Sequence, residues 1–306
     1  MKNFKHEAPN TELEHKYYSK LPEILNGKGA ENLVKSAHYY ELASGDRVVA
    51  GTDKGVDYKD YNEDRVVIHP SDNFAAVIDG MGGHYGGELA AEILAKNLLA
   101  LPGDVVSATV KAKQEMTEQK LGEGGAVFIS VEVITQEQKG ESITKSLKIL
   151  QSGDAKLIII KKDGTISFES QDDSWSQALV EAGQITSDQA LYNTRRHQVF
   201  NSISSTDEIG PKLYPTIKVE TGDIVLLMSD GISDNFTAEE IASRRQKNNL
   251  SIEQLFFWLS EATDKRMTNK EEIIRSSNRD SWGIYSDGYK SEPKSDNRAL
   301  IIMEIK

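Results

Sequence analysis

The chain has 306 residues, of which 38% are hydrophobic and 27% are charged, a composition typical of a soluble globular domain. Its net charge of −12 disfavours binding to nucleic-acid backbones, and its apolar runs are too short to cross a bilayer, so neither nucleic acid nor membrane is expected as a partner. The absence of cysteine excludes disulfides, thiolate zinc sites and cysteine nucleophiles. Together with an N-terminus that lacks the apolar core of a secretory signal, it favours a cytoplasmic protein.

The first 43 residues differ from the rest, because they mix charges of both signs with tyrosines and show only weak helical periodicity, around residues 13–25. We interpret residues 1–43 as an N-terminal extension, either a helix packed on the domain or an arm that contacts a partner. Residues 44–306 contain no repeat and no low-complexity linker, so they are predicted to form one domain.

Seven apolar runs in the body of the chain are typical of β-strands. They are 66–68, 74–78, 127–134, 147–150, 157–160, 224–228 and 300–305. The run 127–134 alternates apolar residues with others, as expected for a half-buried strand, and residues 162–165 are typical of a hairpin turn.

Helices are predicted between several of these strands. Residues 88–101 carry apolar side chains at helical spacing and are followed by Pro102, and residues 174–182 end before Gly183, a favoured C-terminal cap. Because other strands follow one another directly, we expect antiparallel sheets with helices outside. Two capping boxes mark further helix starts, Thr237 with Glu240 and Ser251 with Gln254.

Five short acidic stretches stand at or near the ends of strand-like runs. This placement can bring several carboxylates to one edge of a sheet structure, where their repulsion must be offset. A pair of divalent cations offsets it and is also a catalytic device. The stretches are 62–64, 79–84, 153–154, 230–235 and 296–297.

The second stretch is the most specific. A predicted strand ends in Asp79, and the glycines that follow allow the backbone to approach a bound group closely before the helix at Glu88 begins. A strand-end carboxylate followed by an inward backbone carbonyl is typical of a hard-metal site. A P-loop is disfavoured because the Gly-Lys-Ser/Thr ending is absent, and a glycine-rich connection without function is the alternative.

Each of the other stretches has a structural alternative when it is taken alone. Residues 62–64 are consistent with a turn, and 153–154 with a hairpin turn between two strands. Residues 230–234 lack the ligand spacing of an EF-hand, and Asp234 is also a candidate turn residue or helix N-cap. The order and context of all five stretches therefore carry the interpretation.

That order resembles the metal-dependent serine/threonine protein phosphatases of type 2C, in particular the bacterial members. The resemblance covers roughly residues 49–305, and residues 173–186 are similar to the bacterial flap region. It implies an α+β fold, a four-layer α-β-β-α sandwich of two antiparallel sheets flanked by helices. The motifs that carry it are 61–64, 79–84, 153–156, 229–234 and 295–297.

The resemblance implies two Mn²⁺ or Mg²⁺ ions at one end of the sandwich. Asp79 would bridge the ions, and Asp230 and Asp296 would complete one of the two sites. The Gly80 carbonyl would contribute to the second site, with Asp64 and Glu63 holding its ligands or waters.

Further roles follow from the same resemblance. Asp154 and Asp234, together with Asp230, match the positions that bind a third ion in bacterial members. Lys59 stands where members usually carry an arginine that grips the substrate phosphate, and it offers a point charge without the bidentate fork. His84 is a candidate acid or phosphate contact, although a histidine in such a turn is more often structural.

The implied activity is hydrolysis of phosphoserine and phosphothreonine in proteins by a hydroxide held between the ions, with Asp64, Asp79 and Lys59 serving catalysis. Two alternatives stay open. The first is a catalytically silent regulator of the same fold that binds metal or a phosphoprotein, suggested by Lys59 and by Ala155-Lys156 in place of the usual Ser-Arg. The second is a structural calcium-binding domain.

Overall fold

The structure is a computed structural model. It describes residues 18–28, 30–56, 61–82, 85–122, 124–136, 143–190, 193, 195, 198–207, 209–268, 294 and 296–306. Lys59, His84 and residues 1–17 of the predicted extension lie outside these described residues.

Strands and helices occupy most of the described residues. In chain order the strands are β1 (Glu23–Leu25), β2 (His38–Glu41), β3 (Arg47–Asp53), β4 (Arg65–His69), β5 (Phe74–Met81), β6 (Gly125–Gln136), β7 (Thr144–Ser152), β8 (Lys156–Ile160), β9 (Ile166–Glu169), β10 (Ile203–Ser204), β11 (Lys212–Leu213), β12 (Ile217–Val219), β13 (Ile224–Met228) and β14 (Arg298–Glu304). The helices are α1 (Tyr85–Ala100), α2 (Val105–Glu118), α3 (Trp175–Glu181), α4 (Ser187–Ala190), α5 (Asp230–Ser233), α6 (Ala238–Asn248) and α7 (Ile252–Thr268).

The strands form two antiparallel sheets. The first has the order β1-β4-β5-β6-β7-β11, with β10 paired to β6 and β12 paired to β7. The second has the order β2-β3-β14-β13-β8-β9. All named strand pairs are antiparallel, which confirms the expectation from sequence.

Side chains between the two sheets form the central core, and helices cover the outer faces. Val77 and Ile129 of the first sheet belong to the same apolar cluster as Val225 and Ile301 of the second. Helices α1 and α2 pack on the opposite face of the first sheet, and α6 and α7 pack on that of the second. The layers are therefore α-β-β-α, as predicted.

Strand β6 is buried on both faces, so the prediction that it is half-buried is wrong. Ile129 and Val131 face the other sheet, whereas Phe128 faces the helices. Ser130 is also buried, and its hydroxyl donates a hydrogen bond to the Leu150 carbonyl at 3.4 Å. The alternating side chains of β6 therefore face two different buried environments, rather than one buried and one solvated face.

The N-terminal part of the described chain belongs to the sheets, which corrects the predicted boundary near residue 43. Strand β1 pairs with β4, and β2 pairs with β3. Leu25, Tyr40 and Leu42 are buried in the central core. The helical interpretation of residues 13–25 is wrong for Glu23–Leu25, because pairing with the apolar strand β4 outweighs weak local periodicity.

All seven predicted strands are confirmed, and so are the helix starts at the two capping boxes, whereas the helix predicted from Glu88 begins at Tyr85. The Thr237 hydroxyl accepts from the Glu240 backbone while the Glu240 carboxylate accepts from Thr237, and Ser251 and Gln254 do the same at α7. Helix α2 was not predicted, because much of its buried face is small or polar, as at Ala108. Within the described residues, no helix combines the length and apolarity needed to span a membrane.

The connection at residues 153–154 is not a hairpin. Strand β7 pairs with β6 in the first sheet, whereas β8 pairs with β13 in the second. Gly153 and Asp154 therefore lie where the chain crosses from one sheet to the other. Crossing at this point places an acidic residue between the ends of both sheets, next to the other acidic motifs.

Candidate metal centre

Antiparallel pairing brings the acidic motifs together in pairs. In the first sheet the start of β4 lies opposite the end of β5, so Asp64 and Asp79 are neighbours. In the second sheet the end of β13 lies opposite the start of β14, so Asp230 and Asp296 lie close to each other. Positions far apart in sequence thus meet because adjacent strands run in opposite directions.

Hydrogen bonds join the two pairs across the sandwich. The Ser229 hydroxyl donates to Asp64 Oδ2 at 2.6 Å, and the Ala299 backbone donates to Ser229 Oγ at 2.8 Å. The Glu63 backbone N–H donates to the side-chain oxygen of Asn297 at 2.8 Å. Asp64 is therefore held by the sheet that carries Asp230, and both pairs belong to one site.

Glycines allow the backbones at this end to pack closely. A Cβ atom on Gly80 would lie 2.3 Å from the carbonyl oxygen of Gly87, and one on Gly87 would lie 2.3 Å from Glu63 Oε1. A Cβ on Gly231 would lie 1.9 Å from the carbonyl oxygen of Asn297. The close approach that the sequence predicted for a bound group is, in the described residues, an approach to the protein itself.

The carboxylates raise one another's pKa. Burial raises the pKa of Asp79 to about 7, and the charges of Asp296 and Asp234 also raise it. Part of the Asp79 surface is reachable by water, but protein atoms surround the carboxylate closely enough to disfavour its charged form. Burial and the charge of Asp79 raise the pKa of Asp64 and of Asp154 well above the usual value. Negative charge is thus concentrated here beyond what the protein alone compensates.

A lysine that the sequence analysis did not single out supplies positive charge at this point. The Lys294 ammonium forms ion pairs with Asp230 and with Asp296, the latter at 3.1 Å. Its charge also lowers the pKa of Asp64, Asp79 and Asp154. Its position in the sequence, two residues before Asp296, could have indicated that its ammonium lies near the carboxylate of Asp296.

The donor chemistry of the site fits a hard divalent cation. All candidate ligands are oxygens, and Asp230 Oδ1 is buried without a hydrogen-bond partner among the described residues. Among those same residues, however, no three acidic or histidine side chains are gathered around one ion position. Asp230 and Asp296 instead converge on the Lys294 ammonium, and Asp79 lies within electrostatic range of both Asp296 and Lys294.

Curated relatives of this sequence are bacterial phosphatases. The serine/threonine protein phosphatase PstP of Mycobacterium tuberculosis is 28% identical over 209 residues, which are 65% of this chain and 39% of that protein. The protein phosphatase PhpP of Streptococcus pneumoniae is 27% identical over 173 residues, 53% of this chain and 68% of that protein. No family model matches the chain.

The same fold is found in a solved phosphatase structure. The catalytic domain of PstP in complex with two manganese ions superposes with a TM-score of 0.60 at 22% identity, over 84% of this chain and 97% of that one. The chain is similar in sequence and in fold to bacterial serine/threonine protein phosphatases. The matched region spans about two fifths of the length of the mycobacterial relative.

The predicted third-ion region of this chain lies beside a second lysine. Burial and the charge of Asp79 raise the pKa of Asp154, and the charge of Asp234 raises the pKa of both Asp79 and Asp154. Burial lowers the pKa of Lys156, but the charges of Asp172, Glu169 and Asp234 outweigh burial and raise it. The Lys156 ammonium lies 3.2 Å from Asp172 and 3.6 Å from Glu169. A cation therefore already faces the carboxylates of this region.

Proposed function

We propose that this chain hydrolyses phosphoserine and phosphothreonine in proteins with the help of divalent metal ions. The observation that carries the proposal is the meeting of Asp64, Asp79, Asp230 and Asp296 from both sheets at one end of the sandwich. The relatives are named as protein phosphatases, and one neighbour is described with two manganese ions. An isolated group of carboxylates with raised pKa values would otherwise only destabilise the fold.

Two ions, Mn²⁺ or Mg²⁺, would be held by Asp79, with Asp230 and Asp296 at one ion and the Gly80 carbonyl at the other. Asp64 and Glu63 would hold ligands or waters of the second ion. A third ion, near Asp154 and Asp234, belongs to the same proposal. Oxygen ligands accept either metal. When bound, the ions would supply the positive charge that ionises a water at neutral pH and screens the substrate phosphate.

Neighbouring residues orient the acidic side chains of this site and limit the access of water to them. The Ser229 hydroxyl fixes the orientation of Asp64, and Asn297 positions the backbone that carries Glu63. Burial around Asp79 excludes much of the water that would screen its charge, so its attraction for a cation is stronger than at a surface. Lys59 as a phosphate contact, and a cytoplasmic location, stay predictions from the sequence.

Replacing Asp79 with asparagine tests the proposal. The change keeps the side-chain shape and removes one charge, so we expect kcat/KM to fall at least about a thousandfold, since several kcal/mol of charge stabilisation would be lost. Turnover of a phosphothreonine peptide would be measured with Mn²⁺ and with EDTA, and only the wild type with Mn²⁺ should be active.

The matched control is Asp72→Asn, because Asp72 is exposed on the same sheet structure and lies outside the site. It should retain wild-type turnover. Circular dichroism should show that Asp79→Asn keeps its fold, because it neutralises a carboxylate whose pKa is already raised. Near-normal turnover by folded Asp79→Asn would contradict the proposal.

A further inference from the structure

The Lys294 ammonium lies where a cation would have to bind. It pairs with Asp230 and Asp296, and in the proposed function these two residues belong to the same metal site. The lysine side chain is only 14% exposed, and the side chains of Asp230 and Asp296 are 11% and 24% exposed. The ion pairs are therefore largely shielded from water, where screening is weak.

The position of Lys294 is built into the fold. Its backbone N–H donates to Asn235 Oδ1 at 3.1 Å, and Asn235 Nδ2 donates back to the Lys294 carbonyl at 3.0 Å. The same Asn235 nitrogen also donates to the Gly231 carbonyl at 2.8 Å. Asn235 is buried, so it fixes the Lys294 backbone to helix α5, which begins at Asp230.

Two other basic side chains described near this end have partners of their own. Arg298 pairs with Asp53 and Asp264, and Lys156 pairs with Asp172 and Glu169. Lys294, in contrast, pairs with two proposed metal ligands. A backbone that is clamped at Lys294 and a side chain with four methylene groups allow the ammonium to leave while the Lys294 backbone stays in place.

We propose that the Lys294 ammonium and a divalent cation are alternative occupants of the Asp230–Asp296 site. This inference rests on the proposed function, because it assigns Lys294 a role at that metal centre. Lys294 offsets carboxylate repulsion in the metal-free protein and must be displaced when the ion enters. An ion then binds only the fraction of molecules in which the ammonium has left, so its apparent affinity is reduced by that fraction.

Calorimetric titration of the full chain with Mn²⁺ tests this competition. If the ammonium holds the site in roughly nine molecules of ten or more, Lys294→Gln should bind an ion at one site about tenfold more tightly, or more, than the wild type. In EDTA, Lys294→Gln should melt at a lower temperature than the wild type, because the carboxylates lose their internal counter-charge. Excess Mn²⁺ should raise its melting temperature more than that of the wild type.

Two control variants separate competition for the metal site from a general loss of stability. Lys294→Arg keeps the positive charge and should retain the weak affinity of the wild type. Lys145→Gln breaks the ion pair that Lys145 forms with Asp46 at 2.7 Å. This pair is similarly shielded from water and lies at the opposite end of β7 from Asp154. The substitution should lower stability without changing the affinity for Mn²⁺.

A measurement on the wild type covers the case in which Lys294→Gln does not fold. Reductive methylation followed by mass spectrometry should modify Lys294 slowly in EDTA and several-fold faster with saturating Mn²⁺. Unchanged labelling, or equal Mn²⁺ affinity of folded Lys294→Gln and wild type, would overturn the inference while metal-dependent turnover still supports the proposed function. If neither protein binds Mn²⁺ and neither is active, both proposals fail.

Discussion

Gly80 shows how single residues shape this site. It lies in β5 next to Asp79, and a Cβ there would come 2.3 Å from the Gly87 carbonyl oxygen and 3.0 Å from that of Glu63. Both neighbours are backbone atoms, which cannot turn aside as a flexible side chain can. The absence of a side chain at this position therefore allows β5 to lie close to both the start of α1 and the first acidic motif.

We expect Gly80→Ala to lower the free energy of unfolding by about 1–3 kcal/mol, the usual cost of overpacking, and to lower Mn²⁺-dependent turnover as well. Urea denaturation would measure the first effect. Gly103→Ala is the control, because a Cβ there would meet no atom within 4 Å, and its stability should match or exceed that of the wild type. Equal stability of the two variants would show that the close packing at Gly80 is unimportant.

Arg298 connects three elements beside the site. It begins β14, pairs with Asp53 at the end of β3, and also pairs with Asp264 of α7. Its side chain is 1% exposed and that of Asp53 is 2% exposed. Burial lowers the pKa of Arg298, but the two carboxylates outweigh burial and raise it. This pairing anchors the strand whose preceding residues include Asp296.

Removal of this buried cation should be costly. We expect Arg298→Met to destabilise the protein by about 3–5 kcal/mol, because Asp53 would stay buried without its counter-charge. Lys20→Met breaks the exposed pair with Glu41 and should cost no more than about 1 kcal/mol. Comparable losses in thermal or urea denaturation of the two variants would argue against a special role for Arg298.

At the scale of the whole molecule, the first described residues are part of the sandwich. Strand β1 extends one sheet and β2 extends the other, and Leu25, Tyr40 and Leu42 bury their side chains between the sheets. Residues 1–43 therefore do not behave as a separable arm over the part that the structure describes.

Deletion of residues 1–43 should abolish cooperative unfolding, because it removes two strands and the four buried hydrophobic side chains of Leu25, Leu33, Tyr40 and Leu42, each worth about 1.5–3 kcal/mol of burial. Deletion of residues 1–17 keeps every described element and should leave a cooperative transition. Both chains would be followed by circular dichroism during heating. A cooperative transition near the wild-type temperature after the longer deletion would show that the sheets do not need β1 and β2.

Local sequence was sufficient for the elements with strong signals of their own. The apolar run 224–228 coincides with β13, and the capping box at Thr237 marks the start of α6, because strand burial and helix capping depend on neighbouring residues. The acidic motifs were recognisable for the same reason, since each stands beside such a run. Helix α2, with its small buried residues, had no comparable signal.

Only the tertiary structure decided which elements share a sheet and which charges meet. Strands β7 and β8 are neighbours in sequence but belong to different sheets, and β6 is buried on both faces because two layers cover it. Lys294 reaches Asp230 through the clamp at Asn235, a contact over tens of residues that its place two residues before Asp296 does not encode. Sequence alone determined the strands and the acidic motifs, since these follow from side-chain chemistry. Their convergence, and the cation already among them, follow from long-range packing.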